Sequence, residues 1–186
     1  MKRFKQWFIM VMLISLVCLI AYASVELGTT QIQFNIRYSA TSGLGTMNLS
    51  SSRGVNFTSG TGASQVNTAW AATRTLADDV NEVLDVNDGT LKDAFGVGVT
   101  LNKIKLLYIK NNATWANLLI GGDANNVGLY SSSSDILKLP PTGELLYIAP
   151  DVNGLSVAVD PNLKIAHDGT GSASLTYDII ILGVQQ

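Results

Sequence analysis

The chain has 186 residues, 47% of them hydrophobic and only 14% charged, with a formal net charge of −2. That apolar content excludes a disordered polymer, and with so few charges the polar surface of the folded domain must come from Gly, Ser, Thr and Asn. Setting aside Lys2, Arg3 and Lys5 leaves 9 basic against 14 acidic residues, or −5. No basic stripe then remains to follow a phosphate backbone, so nucleic acid is not expected as a partner.

The chain opens on a positive stretch, MKRFKQ, followed by WFIMVMLISLVCLIAYA, a run of 17 residues without a charge. Ala21 and Ala23 place small residues where a signal peptidase reads them. Residues 1–23 are therefore expected to form a hydrophobic helix, either a cleaved signal peptide or a retained membrane anchor. On both readings the remainder is exported, to the cell surface, the medium or a virion. Cys18, the one cysteine, lies inside this run behind Val17, which disfavours lipidation. The mature domain then has no disulfide and no thiolate chemistry.

Residues 24–65 read as an extended Gly/Ser/Thr-rich arm with one strand, in which residues 39–65 are either a long mobile stretch or a chain of short edge strands and turns. Within it Ile32, Phe34, Ile36 and Tyr38 alternate with Gln31, Gln33, Asn35 and Arg37, the period of a half-buried strand. Residues 66–186 read as a β-sandwich domain, its strand-like runs separated by turn signals. Residues 80–86 end at Asn87-Asp88-Gly89, a pair suited to positive φ. IKLLYIK (104–110) is apolar enough for a central strand, and residues 118–120 end at Gly121-Gly122. Pro140-Pro141-Thr142-Gly143 precedes ELLYIA, and Pro150-Asp151-Val152-Asn153-Gly154 precedes LSVAV. Residues 163–166 are short, and SLTYDIIIL closes the chain. The nearest helical candidate, residues 69–81, lacks a continuous apolar stripe. The fold class expected is all-β: an antiparallel, jelly-roll-like β-sandwich following the N-terminal helix.

Chemistry is sparse. His167, the single histidine, could join Asp168 and a serine in a hydrolase, but neighbours on a strand point to opposite faces, and a strand end entering an Asp-Gly turn explains it. One histidine and no mature cysteine leave no ordinary zinc or copper site. Asp85, Asn87, Asp88 and Asp93 resemble a calcium loop, but Gly89 falls at its fifth position where the EF-hand needs a glycine at the sixth. These residues read as turn formers, as do Asp123, Asn125, Asn126, Asp151 and Asn153. Trp70, Trp115, Tyr108, Tyr130, Tyr147 and Tyr177 could line a glycan platform, with Trp115 the first to test. The Gly43-Leu-Gly45 and Gly60-Thr-Gly62 stretches open no helix and so cradle no phosphate. No catalytic, cofactor or metal residue is expected.

From residue 60 onward the pieces GTGASQVN, TRTL, LDVNDGTLKDAFGVGVTLNKIKLLYIKN, PPTGELLYIAPDVNGLSV and LKIAHDGTGSASLTYDIIILG follow one another. In that order they resemble a group of small β-sandwich structural proteins of tailed phages and prophages. The resemblance implies a non-enzymatic, virion-type structural subunit that associates with itself or with other structural subunits. The N-terminal segment adds a signal or anchor to that pattern, which points to a surface protein, a membrane-passing virion protein or a filament subunit. A secreted or anchored glycan-binding module is the alternative, and a hydrolase a more distant one.

Overall fold

The structure, a computed structural model, describes residues 30–42, 45–129, 132 and 134–185, with side chains from residue 54 onward. The hydrophobic helix expected over residues 1–23, Tyr130 and the residue 43 glycine lie outside these. Twelve strands run in chain order: β1 (Thr30–Ser42), β2 (Gly45–Ser59), β3 (Gln65–Val66), β4 (Thr68–Leu76), β5 (Asn81–Asp85), β6 (Leu101–Asn111), β7 (Leu118–Gly121), β8 (Ile136–Leu139), β9 (Glu144–Ile148), β10 (Leu155–Ser156), β11 (Asn162–His167) and β12 (Leu175–Gln185). Among the described residues there is no helix, and none long and apolar enough to cross a membrane.

Two antiparallel sheets form a β-sandwich. One has the order β10-β6-β12-β4, with β9 also on β6, and the other β5-β11-β7-β8. The pairing is nested: β4 with β12, β5 with β11, β6 with β9, β7 with β8. Contacts of β6 with β12 and β7 with β11 join these pairs into the two sheets. Between the sheets lies one apolar cluster, drawing Trp70, Leu107, Ile109, Tyr177, Ile179 and Ile181 from the first and Leu84, Leu118, Ile120, Leu163 and Ile165 from the second.

Strand β6 is central, as its composition predicts, and the reason for its continuous apolarity is burial on both faces. Leu107 and Ile109 face the inter-sheet core, while Leu106 joins Phe57, Val66 and Leu182 in a second cluster on the outer face. A register shift between Leu182 and Gly183 sets them opposite Leu106 and Ile104, so Lys105 is the extra residue of a bulge. Lys105 is fully buried, and its ammonium donates to the Asp151 carbonyl. Burial draws its pKa down from the ordinary lysine value, against the opposing pull of Asp151. The tie fastens the turn between β9 and β10. There Gly154 has φ 60°, and a Cβ would stand 2.8 Å from the Ile104 carbonyl oxygen.

The described part of residues 24–65 holds two long strands and the start of a third where the arm was expected to carry one. All 13 residues of β1 pair with β2, from Thr30 opposite Phe57 to Ser42 opposite Gly45. Beyond the ladder, Thr58 and Ser59 pair in parallel with Gln65 and Val66. The second strand was hidden because GTMNLSSSRGVNFTS carries too few apolar residues to show a period. Residues 69–76, the start of the helical candidate, are strand β4 paired residue for residue with β12. Strand β8 (ILKL) was not expected, and LSVAV contributes only Leu155–Ser156.

Candidate functional site

His167 ends β11, and its side chain is fully buried. Nδ1 accepts a hydrogen bond from the Gly169 amide at 2.9 Å, which leaves Nε2–H to donate to the Ala173 carbonyl at 3.0 Å. Both ring nitrogens are thus engaged by the backbone of the turn that follows. Asp168 stands off at 4.0 Å from Nδ1, beyond hydrogen-bond reach, as strand parity predicts. Its carboxylate binds the Asn117 side-chain amide and the Asn117 and Thr170 backbone amides, and Lys138 lies 3.6 Å away. Burial works to raise the Asp168 pKa, but the hydrogen bonds from Asn117 and Thr170 outweigh it and hold it down to about 2. Asp78 Oδ1 is buried 3.6 Å from Nδ1 without a hydrogen-bond partner.

Trp115 covers this histidine, the ring centroids 5.4 Å apart and tilted by 46°. Gly171 (φ 94°) lies against the indole, where a Cβ would come within 2.5 Å of Cε3. One side of the indole is therefore committed to the β11–β12 turn, although 37% of Trp115 is exposed. The other aromatics do not join it in a platform. Trp70 and Tyr177 lie in the inter-sheet core, Tyr147 packs against that core, and Tyr108 packs in the outer cluster.

The acidic turn residues each accept from backbone amides of their own loop, and Asp123 is tied to β11 as well. Asp85 accepts from the Asn87 amide, Asp88 from the amide and hydroxyl of Thr90, and Asp93 from the amides of Phe95 and Val97. Asp123 accepts from Asn125 and from the Asn162 side chain, and Asp151 from Asn153 and Gly154. These are Asx turns, which explains why Asp and Asn occupy these positions. Among the described residues no three His, Cys, Asp or Glu side chains converge as a metal site would require.

Two polar features were not anticipated. Glu82 on β5 accepts from Arg74 Nε and from the Tyr177 hydroxyl, both at 2.7 Å, so its carboxylate bridges the two sheets. Asn111, fully buried at the end of β6, donates to the Ala116 and Pro140 carbonyls at 2.8 and 3.1 Å and accepts from the Ala113 amide at 3.0 Å. It fastens the β6–β7 loop to the Pro-Pro turn. No pattern in the sequence marks such a residue, since its role depends on the Pro140 carbonyl, 29 positions away, meeting the β6–β7 loop.

An open groove of about 430 Å³ lies where the start of β4 and the end of β12 meet the loop of residues 93–99. Phe95 and Val97, on its wall, are 74% and 57% exposed. No protein-family model matches this chain, and no curated protein matches it.

Proposed function

We propose that the chain is a non-enzymatic assembly subunit, an exported β-sandwich that self-associates into a virion-like or cell-surface structure. The observation that carries this reading is the β1–β2 hairpin. A ladder of two strands is marginal in water by itself and needs a surface to lie on. Phe57 and Val55 anchor its base on the outer face of the first sheet. Its register sets Ile32 opposite Val55 and Tyr38 opposite Leu49. By period-two parity the positions of Ile32, Phe34, Ile36 and Tyr38 then share the face of Val55 and Phe57. An amphipathic arm of this length suits contact with a neighbouring subunit.

The nested pairing supports a jelly-roll reading, since each strand pairs as in a long hairpin rolled into two sheets. Jelly rolls serve in capsids and lectins alike, so the fold alone does not choose between assembly and glycan binding. The committed indole side of Trp115 favours assembly. The full engagement of His167 by backbone groups leaves no nitrogen to take a serine proton, which favours a non-enzymatic role. Export rests on Lys2, Arg3, Lys5 and the uncharged run to Ala23, and the virion-type reading on the phage-like order of motifs.

Sedimentation of the mature chain over a wide concentration range tests the proposal. Oligomers are expected that disappear when residues 24–53 are removed. A chain that remains monomeric throughout, with or without the arm, overturns the reading.

A further inference from the structure

Among the described residues, one long sheet edge carries no lysine, proline or bulge, and its one inward charge, Arg74, is paired with Glu82. Strand β4 ends its sheet, paired on one side with β12 over nine residues and without a register shift. Edge strands are ordinarily guarded by lysine, proline, a bulge or an inward charge. Strand β4 reads TAWAATRTL, its solvent-facing positions are Ala69, Ala71, Thr73 and Thr75, and Arg74 is held by Glu82 at 2.5 Å. Beside the start of this edge lies the groove walled by Phe95 and Val97.

Among the described residues the β1 edge of the hairpin is open as well. Its 13 residues pair with β2 alone and carry a single charge, Arg37. Charge also favours bringing the two together. Residues 30–59 hold Arg37 and Arg53 and no acid, while residues 60–186 hold 7 basic against 13 acidic residues, −6. Asp93 lines the groove itself.

We infer that β4 and the Phe95–Val97 groove receive the β1 edge of a second copy of this chain, which adds as a further strand. Main-chain hydrogen bonds supply the pairing, as in other strand additions, and the groove takes apolar side chains at the strand's end. Because donor and acceptor edges differ, the contact runs head to tail and builds a ring or a filament. The inference rests on the assembly reading and specifies its interface.

Hydrogen exchange on the full mature chain, dilute and concentrated, tests it. On assembly the amides of Thr68–Leu76 are expected to exchange at least about tenfold more slowly. The Phe95→Asp/Val97→Lys variant should lose this protection and most of its assembly while keeping its circular dichroism, since both residues are exposed. Ala71→Lys, which guards the edge without touching the groove, should act alike. If both variants still assemble through the arm and β4 exchange does not change, this interface is overturned and the assembly reading stands. A monomer at every concentration removes both.

Discussion

Asp168 shows how little of a residue's role its chemical type reveals. Next to the single histidine it suggests a catalytic pair, yet its carboxylate is spent on Asn117 and Thr170, tying the β6–β7 loop to the β11–β12 turn. Since its folded pKa is depressed to about 2, it favours the folded state above the ordinary carboxylate range, and that contribution is lost as pH falls through about 2. Acid titration of stability should therefore show a loss below pH ~4 that Asp168→Asn removes, worth about 1 kcal/mol after solvent screening. An unchanged acid limb in the variant would show that the carboxylate is not held as described. The turn residues were legible in the sequence because an Asx turn is a local event, complete within a few residues. His167 was legible as a strand end by the same logic. The two backbone partners of its ring were not, because they depend on the path of residues 169–173.

At the scale of elements, strands with alternating or dense apolar residues declared themselves: β1, β6, β9, β11 and β12. Strand β4 did not, because its outward positions are alanine and threonine, and its strand state is settled by nine pairings with β12. The two sheets meet at a polar bridge as well as an apolar core. Burial first, and then the hydrogen bond to Glu82, push the Tyr177 pKa well above its ordinary value. The folded state thus holds that proton more tightly, and stability falls as pH rises through ~10, the ordinary tyrosine range. The phenol should show no phenolate absorbance until the protein unfolds. Glu82→Ala leaves the buried hydroxyl and Arg74 without their acceptor and should cost about 2–3 kcal/mol in denaturant unfolding, whereas Tyr177→Phe should cost about 1 kcal/mol. Equal costs would mean that Glu82 does not bridge the sheets.

At the scale of the whole molecule, Phe57 is the most buried of the described residues that join the hairpin to the sandwich. Phe57→Ala should cost about 3 kcal/mol or somewhat less, because the cavity opens at the edge of the outer cluster. Proteolysis should then cut residues 30–53 well before the sandwich yields. If the arm and the sandwich are cut at the same rate, the two are one cooperative unit and the anchoring role fails.

The sequence by itself determined the β class, most of the turns, the central place of β6 and the scarcity of reactive groups. These follow from period-two patterning, local side-chain to backbone hydrogen bonds and composition, none of which needs a distant partner. Only the tertiary structure decided that residues 45–59 pair as a strand, that β4 is an open edge, that His167 is locked by its own turn, and that Glu82 links two sheets. The open edge and the Glu82–Tyr177 bridge depend on residues about a hundred positions apart, and the hairpin and the His167 lock on the path the chain takes through a turn. A one-dimensional pattern carries no record of such contacts, because in a nested sandwich the partner of a strand is set by the roll of the whole chain.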